Sequence, residues 1–152
     1  MFFQDGIIGA EQIHLRILAH LGDGVYELFV RECMMGELSV GKISNKIESV
    51  HRWTSLRSSA TFQVQLLDFL LDDLDETERQ LVKRARNMPV SVGRRSQQGL
   101  HRKATGFEAL LGYWHLESPK RLEAIFSILT PLVLSGSVPV NPNFEKEEEE
   151  KL

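Results

Sequence analysis

Two carboxylates of this 152-residue chain sit where a charge is costly. Asp23 lies in Leu-Ala-His-Leu-Gly-Asp-Gly-Val-Tyr-Glu (residues 18–27), and Glu108 in Ala-Thr-Gly-Phe-Glu-Ala-Leu-Leu-Gly (residues 104–112). Both stretches are otherwise largely apolar and helical in spacing. A carboxylate in such surroundings is unfavourable unless it is paired or coordinates a metal. Two of them on different helices can converge on one hard cation, which takes oxygen ligands. Taken singly, each has a plainer reading: Glu108 on an exposed helix face, and Asp23 as a helix cap after a break at Gly22.

The other chemistries that short motifs announce are missing. There is no GxxxxGK[ST] phosphate loop, no GxGxxG, no GxSxG elbow and no HExxH. The five histidines (His14, His20, His51, His101, His115) are scattered. The single cysteine, Cys33, stands beside Met34 and Met35 and reads as apolar packing; alone it allows no intrachain disulfide and no cysteine zinc cluster.

The elements that must position the two carboxylates are helical. Ile13, Ile17, Leu18, Leu21, Val25, Leu28 and Phe29 recur at three- and four-residue steps, which predicts an amphipathic helix or a close pair of helices. Gly22 and Gly24 interrupt it. Each costs ~1 kcal/mol against Ala in a helix interior, so each needs a packing or functional reason. A short segment follows from Ser39 to about Ser49, then one helix from Thr54 to Leu71. Asp75 with Glu78 predicts a capping box opening a helix that runs to about Asn87, where Pro89 stops it. Residues 89–98 read as a loop. A helix covers roughly Gly99 to Leu116, and Ser118-Pro119 restarts another that ends near Leu134. No β-alternation lasts long enough to build a sheet. At this length one domain is expected, with a core large enough to need no disulfide or structural metal.

The formal net charge of −3 by itself points away from nucleic acid, but its distribution is uneven. Residues 145–151 hold five Glu and two Lys, so residues 1–144 balance to zero. Within that body, Arg79 to Thr105 carries eight Lys or Arg and no acid, the footprint of a phosphate-binding surface or of a solvated helix face plus a polar loop. No basic n-region precedes an apolar run at the start, and no apolar run approaches the ~20 residues of a membrane span. A small soluble domain in the cytoplasm is the expectation, with no membrane partner.

The segment Leu18 to Glu32 (LAHLGDGVYELFVRE) resembles the signature helix of the ribonuclease III family, in which a Leu-Gly-Asp core is followed by an apolar helix. Thr105 to Gly112 (TGFEALLG) resembles that family's second motif, and Arg86-Asn87 falls between the two in the family's order. The likeness is closer to the short subfamily, Mini-ribonuclease III. That form has Leu-Ala ahead of the Gly-Asp core, Tyr-Glu after it, a Thr-x-Phe-Glu-Ala-Leu second motif and no double-stranded-RNA-binding domain. Leu18-Ala19, Tyr26-Glu27 and Thr105 to Leu110 match, and the resemblance covers roughly residues 10–134. The long enzymes carry four carboxylates. Here Ala19 stands four before Asp23 and Thr105 three before Glu108, as in the short subfamily.

The resemblance implies an all-α, single ribonuclease III-type endonuclease domain over residues 1–140, with an acidic, disordered tail at 141–152. It implies a Mg²⁺-dependent endoribonuclease acting on double-stranded RNA. Asp23 and Glu108 would be both catalytic and metal-binding, with Glu27 and Thr105 supporting the ligands and their waters. Cleavage would leave 5′-phosphate and 3′-hydroxyl ends. RNA contacts would come from Arg94, Arg95, His101, Arg102 and Lys103. The implied substrate is the precursor of 23S ribosomal RNA, trimmed at both ends, with a large-subunit ribosomal protein as a candidate partner. The enzyme would be a homodimer, and the Leu18 to Phe29 stripe is either part of that interface or ordinary core. The competing expectation is a non-catalytic RNA-binding or ribosome-associated protein of the same fold, against which the retention of Asp23 and Glu108 counts. A helical protein-interaction domain without an RNA role is a third.

Overall fold

The computed structural model describes residues 3–89 and 98–143. They form α1 (Leu15–Ser39), α2 (Ile47–Ser58), α3 (Ala60–Leu70), α4 (Glu76–Arg86), α5 (Gln98–Glu117) and α6 (Pro119–Ser135), with 3₁₀ turns at Ala10–Gln12 and Leu71–Asp73. No strand occurs among the described residues. The all-α expectation holds.

Helix α5 is the hub, packing on α1, α3, α4 and α6, with α1 its most extensive partner. Phe107, Leu110, Leu111 and Trp114 of α5 are fully buried, as are Tyr26 and Val30 of α1. Tyr26 meets Phe107 edge-on at 5.5 Å between ring centres, and Phe29 stacks on Phe126 of α6 at 4.0 Å. Leu18, Tyr26 and Phe29 are therefore core, as is Cys33. The exposed apolar positions of α1 are different ones: Ile17, Leu28 and Met35.

Local signals explain most helix ends. The Asp75 carboxylate accepts from Glu78 N at 2.8 Å, and Glu78 Oε1 accepts from Asp75 N at 2.9 Å, the predicted reciprocal box. Glu78 does more than cap. Its Oε2 also accepts from Trp114 Nε1, and Arg121 of α6 donates to both oxygens at 3.0 and 2.8 Å. Burial alone would raise the Glu78 pKa; the bonds from Arg121, Asp75 and Trp114 outweigh it and hold the carboxyl below its ordinary value. One carboxylate thus ties α4, α5 and α6 together.

Two helix boundaries differ from the sequence expectation. Helix α1 runs unbroken through Gly22 and Gly24, so Asp23 lies in mid-helix and caps nothing. The predicted helix from Thr54 to Leu71 is two helices: Ser59 takes an extended ψ of 151° and caps α3, its Oγ accepting from Phe62 N at 3.2 Å. The break is held by Arg57, which is 6% exposed. It donates to the carbonyls of Val133 and Leu134 at the end of α6 and lies over the Trp53 ring at 3.7 Å. Beyond α6, Asn141 is buried and its amide donates to Asp68 O of α3 at 2.9 Å. The acidic residues 145–151 lie outside the described residues.

Candidate active site

Asp23 and Glu108 come together because α1 and α5 touch backbone to backbone. A methyl group at Gly22 would overlap the carbonyl oxygen of Glu108, and one at Gly112 would overlap that of Leu18. Glycine at these two positions is what lets the helices approach so closely. Gly24 is different, since a Cβ there would meet nothing within 4 Å.

Above this crossing the helices part around a cleft of about 390 Å³. Helix α1 contributes Arg16, Ala19, His20 and Asp23 to its wall, at the three- and four-residue steps of one helix face. Helix α5 contributes His101, Arg102, Thr105 and Glu108 in the same rhythm, and the end of α4 closes the cleft through Ala85 and Met88. Ala19 and Thr105 both line it. The cleft wall thus carries two carboxylates, Asp23 and Glu108, together with Arg16, His20, His101 and Arg102.

Glu108 is not on an exposed face, and no cation among the described residues is a cause of its pKa shift. Its pKa is pushed up to about 7, first by burial and then by the negative charge of Asp23, with Glu27 adding to it. A hydrogen bond from the Gln63 side chain pulls the other way. Two carboxylates whose charges oppose each other in a cleft are a donor set that a divalent cation relieves, and all-oxygen donors suit Mg²⁺. No cluster of three or more His, Cys, Asp or Glu able to hold a metal occurs among the described residues. The fit is thus to an ion held by two carboxylates that keeps its other positions for water and phosphate.

The remaining predicted residues divide. The Thr105 hydroxyl donates to His101 O at 2.8 Å, which leaves its lone pairs as acceptors for a water in the cleft. Glu27 is not part of the cleft wall and pairs with Arg31 at 3.7 Å. His101 and Arg102 line the cleft, whereas Lys103 does not. The Arg102 Nε is buried without a hydrogen-bond partner among the described residues. Arg94 and Arg95 lie outside the described residues.

Sequence reasoning missed three residues. Arg16 and His20 precede Asp23 by seven and three positions, so helical spacing alone could have placed them beside it; Arg16 also donates to the Pro89 carbonyl. Gln63 carried only a faint signal, one polar residue between Phe62 and Val64, and nothing in the sequence names Glu108 as its partner.

A ribonuclease III domain model matches residues 16–119. The chain is 37% identical over 126 residues to the Mini-ribonuclease 3 of Thermosynechococcus vestitus, covering 83% of this chain and 80% of that protein. It is 36% identical over 112 residues to the Mini-ribonuclease 3 of a Synechocystis strain, covering 74% of each. A crystal structure of a Fusobacterium nucleatum protein superposes with a TM-score of 0.65 over 79% of this chain and 93% of that one; at 23% identity it bears on the fold alone.

Proposed function

This chain belongs to the ribonuclease III family and is an endoribonuclease, and we propose that it cuts double-stranded RNA with Mg²⁺ held by Asp23 and Glu108. The observation that carries the reading is the convergence of these two carboxylates on one cleft from helices that cross at Gly22 and Gly112. A bound Mg²⁺ would act as Lewis acid toward a phosphate oxygen and make water acidic enough to attack. The chain's own residues do the rest. Asp23 and Glu108 supply the anionic ligands, and Thr105 offers its lone pairs to a water. Arg16, His101 and Arg102 present positive charge or N–H groups to the RNA backbone, which is how A-form duplexes are recognised. Arg94, Arg95 and Lys103 are the further RNA contacts of this reading. The proposed products carry 5′-phosphate and 3′-hydroxyl ends.

The family acts on double-stranded RNA and its members are generally dimeric. We place the seam of a homodimer on the exposed face of α1, where Ile17, Leu21, Gly24, Leu28 and Met35 recur at heptad-like spacing. The core-facing residues Leu18 and Phe29 are not available for it. The proposed substrate is the 23S ribosomal RNA precursor, and the proposed compartment is the cytoplasm. No helix among the described residues is long and apolar enough to cross a membrane.

The test is incubation of the purified protein with a double-stranded precursor fragment, with Mg²⁺ or with EDTA. The reading requires 5′-phosphorylated fragments in Mg²⁺ only. Tight binding without cleavage in either condition would favour the non-catalytic RNA-binding alternative.

A further inference from the structure

Arg102 of α5 lines the cleft, and its Nε is buried with no hydrogen-bond partner among the described residues. Neither Asp23 nor Glu108, on the same wall, accepts from it. A buried N–H without an acceptor destabilises the fold, the more so on a charged group. Leu or Met at this position would carry no such cost. An anion inside the cleft supplies the acceptor, and the Nε–H with the neighbouring Nη–H forms the fork that takes two oxygens of one phosphate.

The place of Arg102 on its helix says which phosphate. It precedes Glu108 by six residues, about 9 Å along the helix axis. Arg16 likewise precedes Asp23 by seven on α1, about 10 Å along that axis, and it is tied to the Pro89 carbonyl. Long side chains lean toward the N-terminus of their helix, so both arginines lean away from the carboxylate that follows them. The cleft also has room for more than one anion. An octahedral Mg²⁺ on two carboxylates takes four further oxygens, which at ~30 Å³ each fill about 120 Å³, less than half of the 390 Å³ present.

We propose that Arg102 binds a phosphate of the cut strand next to the scissile one, and not the scissile phosphate itself. The scissile phosphate belongs to the level of Asp23 and Glu108. Its neighbour lies on Arg102, which sets the register in which the strand crosses the carboxylates. The inference rests on the reading of these two carboxylates as the metal ligands for RNA cleavage.

The experiment is single-turnover cleavage in Mg²⁺ of a duplex RNA with one cut site, by wild type and Arg102→Ala, over a range of enzyme concentrations. Each linkage flanking the cut is made neutral in turn as a 2′-O-methyl methylphosphonate, with the plain 2′-O-methyl duplex as reference. Arg102→Ala should raise the enzyme concentration for half-maximal rate at least about tenfold, the scale of a hydrogen bond to a charged group. The rate at saturation should stay unchanged, because a contact made equally in ground and transition states is uniform binding. One neutral linkage beside the cut should weaken wild type by a similar factor and leave Arg102→Ala unaffected. Equal losses in the two proteins at every linkage would overturn the inference alone. So would a fall in the saturating rate with the half-maximal concentration unchanged, which would place Arg102 on the scissile phosphate. Wild type that cuts in EDTA, or does not cut in Mg²⁺, would overturn the metal reading and the inference with it. Should Arg102→Ala lose its helical circular dichroism, Arg102→Gln, neutral and polar, serves instead under the same outcomes.

Discussion

The α-carbon of Gly22 lies against the main-chain carbonyl of Glu108, with no room for a methyl group between them. This contact sets the separation of the two helices at the level of the carboxylates, and Gly112 repeats it one turn away against Leu18. Gly22→Ala should therefore act on the site as well as on stability. Overpacking costs about 1–3 kcal/mol, and each kcal/mol lowers the melting temperature by roughly 2–4 °C in a chain of this size. Cleavage should fall further than a small loss of folded protein explains, because the carboxylates move apart. A variant that melts and cuts like wild type would show that the helices yield freely.

Asp23→Asn should abolish cleavage and leave the fold intact. The amide is close in shape but neutral, and a mid-helix position has no cap to lose. Glu108→Gln should behave alike, and the double variant should be no worse than either single one, since groups acting as a unit lose most of the rate at the first removal. Single-turnover rates with melting temperatures measured alongside decide it; wild-type cutting by Asp23→Asn would remove this residue from the site.

The raised pKa of Glu108 makes a prediction about stability. Without metal, the folded protein holds this proton up to about pH 7, whereas an unfolded chain releases it near 4.5. The folded state binds more protons between these values, so this group's contribution to stability falls as pH rises from 4.5 through 7. Glu108→Gln removes the penalty. In EDTA it should melt higher than wild type at pH 8, by a margin on the order of 1–3 kcal/mol at 1.36 kcal/mol per unit, discounted for solvent in the cleft. The margin should nearly vanish at pH 4, below both values. Equal melting temperatures at pH 8 would mean that Glu108 is not destabilised by its surroundings.

The dimer seam can be tested by charge. Leu28 is 51% exposed, so Leu28→Glu should leave the monomer folded while sedimentation shows dissociation at micromolar protein. Gly24→Ala gives a finer test. Within one chain it should gain the ~0.5–1 kcal/mol that Ala has over Gly in a helix, yet weaken the dimer if a second α1 approaches there. An undisturbed dimer in Leu28→Glu places the seam elsewhere.

Arg102 carries a prediction for RNA. Its side chain lines the cleft with a buried Nε that has no hydrogen-bond partner among the described residues, which suits a phosphate oxygen. Arg102→Ala should weaken duplex binding and lower the slope of log affinity against log salt by roughly 0.9, the release of one counterion. Lys103→Ala, outside the cleft, should change it less. An unaltered slope would mean that Arg102 makes no phosphate contact.

What the sequence alone determined is local or motif-borne. The capping box of Asp75 and Glu78, the stop at Asn87 and the restart at Ser118-Pro119 rest on bonds and steric limits within four residues, which any reader of the chain can check. That Asp23 and Glu108 belong together was legible only from the resemblance of their two stretches, taken in order, to the ribonuclease III motifs; singly, each read as a helix cap or an exposed residue. Tertiary structure decided the rest. Gly22 looked like a helix break, because the reason for a missing side chain lies on whatever faces it, here a carbonyl 86 positions later. The stripe of α1 could not be divided into core and surface until α5 and α6 covered Leu18, Tyr26 and Phe29 and left Ile17 and Leu28 bare. Gln63 was one polar residue in an apolar run, and only the folding of α3 against α5 let its amide bear on the pKa of Glu108. Hydrogen bonds and close contacts between distant segments depend on both partners at once, and the sequence shows each partner separately.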